Sequence, residues 1–285
     1  MTLFLQLTID GWVAGSLYLL MALGLVLMFG ALRVPNVALG QGYAVGAMVT
    51  YVVLGWGVPY PGAVLGAAVV GALIGIVTEL VFRRIPHESE LHGMIAAFAI
   101  FFALEAGGFI LWGPDPRAIN WRIPGTIHLG DLILTYHRLA LALTALALIV
   151  ALFVTLQKTA FGRDVRAVAQ NRDAATVLGV DVKKVALVVF ALAGALTGLA
   201  GALSGTQDAI TPAMALFPTL KAFVIIVVGG MTLRGAVVAA YVLALSEVYA
   251  AGYVSSGYKD AVAFILLAAI LVIRPQGIMG IRSHV

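Results

Sequence analysis

The chain contains no cysteine and few charged residues, and each scarcity excludes a class of protein. Without cysteine, its 285 residues can form neither a disulfide nor a thiolate metal site. Charged residues make up 11% of the sequence, whereas soluble domains contain about 25%. The mean hydropathy is +1.07, and 62% of the residues are hydrophobic. A water-soluble globular domain is therefore excluded, and a protein embedded in a lipid bilayer is indicated.

Motifs for nucleotide or metal chemistry are absent as well. The sequence has no G-x-x-x-x-G-K-[ST] loop that could hold nucleotide phosphates, and no H-E-x-x-H zinc motif. Its histidines and carboxylates are scattered, so they form no catalytic constellation. We therefore predict that the chain is not an enzyme and that it holds neither a metal ion nor a cofactor.

Apolar tracts separated by turn signals account for most of the sequence. One crossing of the hydrocarbon core needs about 20 apolar residues, and the tract at 216–230 is short for this purpose. We predict an all-α fold, a polytopic transmembrane helical bundle of eight long helices plus one short or re-entrant helix, in a single domain over 1–285. The tracts are 4–30, 37–56, 61–83, 91–112, 137–157, 184–205, 216–230, 235–254 and 260–273.

Basic residues lie at the ends of these tracts, which indicates a membrane rather than a nucleic-acid partner despite the net charge of +4. With the N-terminus outside, alternation places twelve of the 17 Lys and Arg residues inside, among them Arg33, Arg234 and Arg282. We therefore predict an outer N-terminus and a cytoplasmic C-terminus; one end inverts if 216–230 does not cross. The outer loop 113–136 is either a short extracytoplasmic cap or a plain connector.

A polar segment at 158–184 interrupts the apolar tracts and holds six of the 17 basic residues. Its apolar residues recur at a loose helical spacing from Arg163 to Leu178, which predicts a helix. Gly162 would precede this helix and Gly179 would follow it as a C′ residue. Asp173 could start a second turn, and Asp181 could cap the next membrane helix. The segment is either an amphipathic loop on the lipid surface or a docking helix that passes force from another protein.

Small residues form a stripe along the tract 184–205, with Gly194, Gly198, Gly201 and Gly205 among them. Glycine at this spacing lets helix backbones approach closely in lipid. The pattern predicts a central helix, or one that moves against its neighbours.

Several motifs, in order along nearly the whole chain, resemble the LivH-type permease subunits of branched-chain amino-acid ABC transporters. The first is Arg166-Ala167-x-Ala169-x-Asn171-x-x-Ala174, followed by Gly179 and Phe190. The others are Gly24-Leu25-x-Leu27-x-Phe29-Gly30, Asn36-x-Ala38-x-Gly40, Leu220-Lys221-Ala222-Phe223, Ser256-Gly257-Tyr258-Lys259-Asp260-Ala261 and Arg274-Pro275-Gln276-Gly277. Leu39 departs from the family, which usually has a polar residue at this position.

The resemblance implies an ATP-driven importer in the inner membrane. The chain would pair with a second, related permease subunit as a heterodimer, two cytoplasmic ATPase subunits would dock on it, and an extracytoplasmic solute-binding protein would deliver the solute. A branched-chain or similar amino acid is the expected solute; urea or short amides, and a gradient-driven transporter, are the alternatives. The residues expected to couple to the ATPases are Gly162, Arg163, Arg166, Ala169, Asn171, Arg172, Ala174 and Gly179.

Polar residues inside the apolar tracts are candidates for the solute pathway, because ionisable groups in lipid are costly and usually face a protein interior. Asp10 and Glu247 could instead bond to a neighbouring helix, and Asp208 and Lys221 could lie among the lipid headgroups. The predicted pathway residues are Asn36, Gln41, Glu105, Lys221 and Glu247.

Overall fold

The computed structural model describes residues 2–32, 36–85, 90–129, 132–274 and 276–279. Arg33, Arg282 and Pro275, on which the orientation or the resemblance partly relied, lie outside this part of the chain.

Every predicted apolar tract forms a helix. The first six helices are α1 (Thr2–Leu32), α2 (Gln41–Gly55, preceded by a 3₁₀ turn Ala38–Gly40), α3 (Tyr60–Phe82), α4 (Glu90–Trp112), α5 (Tyr136–Lys158) and α6 (Ala160–Gln170). The others are α7 (Arg172–Val177), α8 (Val182–Ser204), α9 (Leu216–Val228), α10 (Leu233–Tyr253) and α11 (Lys259–Ile273).

Seven helical spans in the described ranges are long and apolar enough to cross a membrane. The polytopic α-helical bundle is therefore confirmed, whereas the count of eight long helices is not. The difference arises at the last tract, where α11 contains 15 residues. The predicted short helix is present as α9, with 13 residues, or about 20 Å at 1.5 Å per residue.

Helix α8 lies at the centre of the bundle and packs against α1, α2 and α3. Glycines make these contacts possible, because the helices meet backbone to backbone. A methyl group on Gly71 of α3 would overlap the carbonyl of Gly194, and one on Gly46 of α2 would overlap Gly198. The small-residue stripe is thus a packing surface on two sides, as expected for glycine-rich helices in lipid.

The loop between α4 and α5 is a built cap rather than a plain connector. Two strands, β1 (Thr126–Leu129) and β2 (Leu132–Thr135), form an antiparallel hairpin in which Thr126 faces Thr135. Upstream, Arg117 exchanges two backbone hydrogen bonds with Ile210, of 3.0 and 2.8 Å. The ring of Trp121 stacks on Tyr60 at the start of α3, with a centroid distance of 3.9 Å. The cap therefore ties α3, α5 and the segment after α8 together.

The backbone contact between α3 and α8 gives a direct test of the packing. We expect Gly194→Ala to destabilise the protein by about 1–3 kcal/mol, because the added methyl overpacks a contact that has no room. The measurement is thermal unfolding of the purified protein in detergent.

The matched control is Gly66→Ala on α3, where a Cβ atom would meet Val53 at an ordinary 3.8 Å. This change should be neutral or stabilising, since alanine favours the helix by up to ~1 kcal/mol over glycine. Equal melting temperatures for the two variants would contradict the role assigned to Gly194.

Candidate functional site

The polar segment 158–184 begins directly at the end of α5. The side chain of Thr159 accepts a hydrogen bond from the Gly162 amide at 3.1 Å, so it caps α6. Gly162 lies inside the first turn of α6, not before the helix as the sequence suggested. It packs on the backbone of Leu156, where a Cβ atom would overlap the Leu156 carbonyl. Only glycine lets α6 fold back this closely against α5.

The single helix expected from Arg163 to Leu178 is in fact two helices, α6 and α7, separated at Asn171. The backbone of Asn171 is extended, with φ −154° and ψ 113°. Its side-chain oxygen accepts a hydrogen bond from the Ala174 amide at 2.9 Å. Asn171 therefore begins the second helix, and the assignment of this role to Asp173 was wrong. A capping side chain competes with the continuing helix for backbone hydrogen bonds, which explains the break.

The end of α7 and the start of α8 agree with the predictions made from the sequence. Gly179 has φ +86°, and the amides of Gly179 and Val180 donate to Thr176 and Ala175 at 3.0 Å each, as in a Schellman ending. Asp181 then caps α8 by accepting from the Lys184 amide at 3.1 Å. This hydrogen bond lowers the pKa of the Asp181 carboxyl. Thr159, Asn171 and Asp181 thus link α5 to α8 through consecutive caps.

The exposed surface of this segment differs from the expected helical face. Val165, Val168 and Ala175 are buried against the core as predicted, but Val177 and Leu178 are 88% and 81% exposed. The cause is the break at Asn171, which changes the phase of the second helix.

Among the predicted coupling residues, Arg166 donates a hydrogen bond to the Leu156 carbonyl at the end of α5. Ala169 is half-buried, whereas Arg163, Asn171, Arg172 and Ala174 are exposed. The segment therefore presents basic and apolar side chains together on α7 and Leu178, which we call the tip.

A second candidate site is a buried charge cluster formed by four helices, and it brings together Lys221 and Glu247, two of the predicted pathway residues. The ammonium of Lys221 on α9 lies 3.1 Å from a carboxylate oxygen of Glu247 on α10 and 2.9 Å from one of Asp260 on α11. The hydroxyl of Tyr18 on α1 donates to Glu247 at 2.9 Å. Tyr18 and Asp260 were missed as site residues, because no spacing in the sequence connects these helices.

Burial makes this cluster energetically demanding. Glu247 is fully buried and only 10% of the Lys221 side chain is exposed, whereas 48% of the Asp260 side chain is. Two carboxylates face one ammonium, and Oε1 of Glu247 has no hydrogen-bond partner among the described residues. Paired ionisable groups at membrane depth are typical of functional sites in membrane proteins.

Asn36 and Gln41, two other predicted pathway residues, are buried where α2 begins. Asn36 accepts a hydrogen bond from the Ala38 amide at 2.9 Å, and Gln41 donates to the Pro212 carbonyl at 2.7 Å. The neighbouring Gly42 packs against Thr197, near the middle of α8. The start of α2 therefore lies deep in the bundle, as in transporters with broken helices.

Glu105 does not join the charge cluster. It is half-buried on α4, whose span has only 17% of its residues buried. No ion pair joins it to the described part of the chain. Asp10 forms an ion pair with Arg138 of α5 at 2.5 Å, which agrees with the alternative that it bonds to a neighbouring helix.

The architecture is that of a polytopic α-helical membrane protein, and comparison with known proteins is more specific. Residues 7–271 match the family model of the branched-chain amino acid transport system permease component. The chain therefore belongs to this family of transport permeases.

Two relatives match along nearly their whole length. The high-affinity branched-chain amino acid transport system permease protein LivH of Escherichia coli is 28% identical over 97% of this chain and 96% of that protein. The corresponding protein BraD of Pseudomonas aeruginosa is 26% identical over the same shares. The xylose transport system permease protein XylH of Haemophilus influenzae is 26% identical, over 64% of this chain and 63% of its own length.

The charge cluster can be tested by removing one partner and then both. We expect Lys221→Met to destabilise the protein by about 3–5 kcal/mol, because it leaves the buried Glu247 without its cation. Thermal unfolding in detergent measures the effect. The double variant Lys221→Met/Glu247→Leu should regain most of the loss, since no unpaired buried charge remains; a double variant as unstable as the single one would contradict this account.

Proposed function

We propose that this chain is the membrane-spanning permease subunit of an ATP-driven ABC importer for branched-chain or similar amino acids. The observation that carries the proposal is the tip around α7, where Arg172, Val177 and Leu178 are exposed although the helices on either side are firmly capped. Apolar and basic side chains held out together on a structured segment favour a protein partner. The relatives that match nearly end to end support the amino-acid solute.

The capped segment supports a mechanical role for the tip. A partner that moves α7 also moves α8, since no free linker separates them. Helix α8 contacts α1, α2 and α3, so the displacement reaches the centre of the bundle. The guanidinium of Arg83 at the end of α3 donates to the Lys183 carbonyl at 3.3 Å, which adds a second connection between α3 and the start of α8. ATP binding on two docked ATPase subunits would thereby drive alternating access.

The remaining partners follow the same proposal. A second, related permease would complete the pathway, and an extracytoplasmic solute-binding protein would dock on the cap that contains the hairpin. We assign Asn36, Gln41, Glu105, Lys221 and Glu247 to the solute pathway as candidates. Urea or short amides are the alternative solutes. A gradient-driven transporter, whose uptake would survive ATP depletion, is the alternative mechanism.

The absence of native cysteine makes the proposed orientation easy to measure. We expect Asn120→Cys, in the outer cap, to react with a membrane-impermeant maleimide on intact cells. Thr176→Cys, on α7, should react only after the membrane is permeabilised, because we place α7 in the cytoplasm with an outer N-terminus. Both positions are exposed. The reverse labelling pattern would overturn this topology.

Coupling is tested by reversing one charge at the tip. We expect Arg172→Glu to lower ATP-driven uptake at least tenfold, about 1.4 kcal/mol of coupling free energy, while ATP hydrolysis by the assembled complex persists. Arg172 suits this test better than Arg166, whose guanidinium also caps α5. The measurement is leucine uptake and ATP hydrolysis in proteoliposomes containing all subunits.

The matched control is Lys158→Glu, an equal charge reversal at an exposed residue at the end of α5. It should transport normally, because it lies outside the tip. Normal ATP-driven uptake by a well-expressed Arg172→Glu variant would contradict the proposed coupling role.

A further inference from the structure

A groove of about 720 Å³ lies at the end of the bundle that carries the polar segment. It is bounded by the last turns of α1, by α5 and α6, and by the turn that joins α9 to α10. The residues that matter for its chemistry are Val26, Leu27, Phe153, Arg166, Met231 and Arg234.

The charged side chains that line this groove in the described part of the chain are all basic. Arg166 and Arg234 are its only charged lining residues among those described, and no Asp or Glu lines it. Arg234 is exposed and forms no ion pair with the described part of the chain. Arg166 uses one N–H for the Leu156 carbonyl, which leaves other donors of its five. The groove therefore offers two cationic groups to an anion.

The wall of the groove is apolar and reaches membrane depth. Val26 and Leu27 lie less than one turn beyond Gly24 on α1, and Gly24 packs against Ala193 and Thr197 near the middle of α8. Val26 and Leu27 are only 1% and 4% exposed, so they form the floor of the groove, while the half-buried Phe153 and the exposed Met231 form its open apolar wall. An acyl chain occupies this depth in a bilayer, whereas a segment of a soluble protein would have to enter the hydrocarbon.

The turn that carries Arg234 has an unusual backbone. Met231 adopts φ +58°, a left-handed conformation that is unfavourable for a residue with a side chain. Its amide donates to the Ile226 carbonyl at 2.9 Å, which helps to hold the turn. Strained backbone of this kind occurs at ligand-binding positions.

We propose that this groove binds one anionic phospholipid. The headgroup phosphate contacts Arg166 and Arg234, and an acyl chain lies along Phe153 and Met231, above the floor formed by Val26 and Leu27. Basic pockets between membrane helices on the cytoplasmic side recognise anionic headgroups through the same chemistry. This site does not depend on which solute the protein transports.

The test is lipid retention by the full chain in detergent, measured by native mass spectrometry. Phosphatidylglycerol and phosphatidylcholine with identical acyl chains are the probes. We expect phosphatidylglycerol to bind the wild-type chain more tightly. Arg234→Gln should reduce this preference about fivefold, since one basic side chain contributes ~1 kcal/mol near an anionic lipid and 1.4 kcal/mol corresponds to tenfold.

Two further variants make the outcome decisive. Arg234→Lys should retain the preference, because it keeps the charge. Arg163→Gln should leave it unchanged, because Arg163 is exposed on α6 but does not line the groove. Equal retention of the two lipids, or a preference that Arg234→Gln does not alter, would overturn the proposal. Full displacement of the bound lipid by inorganic phosphate would also overturn it. The same holds if Arg234→Gln abolishes ATPase association but leaves lipid retention intact.

Discussion

Close backbone contact around α8 is the constraint on which the rest of the bundle depends. In lipid there is no hydrophobic gain from burying leucine against leucine, so helices associate through packing and polar contacts. Here Gly46, Gly71, Gly194 and Gly198 bring three helices within backbone distance. The same contacts hold α2, which begins at the buried Gln41, against α8, which follows the polar segment. Both candidate regions therefore adjoin helices that close glycine contacts hold together.

Much of the fold could be predicted from the sequence because hydropathy and turn chemistry act locally. The apolar tracts became helices, Gly179 ended α7, and Asp181 capped α8. The break at Asn171 was missed, because a loose helical spacing continues across it and an internal cap leaves no gap in that pattern. The hairpin between α4 and α5 was missed as well, since its two short strands lie within a loop that was predicted only as a cap or a connector.

The charge cluster marks the limit of prediction from a single sequence. Lys221 and Glu247 were recognisable individually as costly residues in apolar tracts. Their pairing, and the addition of Tyr18 and Asp260, requires four helices to converge, which is a property of the tertiary structure alone. Glu105 carries the same kind of side chain but lies on α4, where few neighbours surround it. Ionisable residues in apolar tracts thus have different surroundings in the structure, and only the packing of the helices distinguishes them.

Under the proposed coupling role, the capped segment between α5 and α8 would act as a lever. Helix α6 has 11 residues, which gives an arm of about 17 Å at 1.5 Å per residue. Gly162 lets this arm lie directly on the end of α5, so its fulcrum is a backbone contact instead of a flexible joint. A rotation of about 10° at this fulcrum displaces the far end by about 3 Å over that arm. Under the proposed coupling role, a small rotation imposed at the tip would reach the start of α8 as a displacement of a few ångströms.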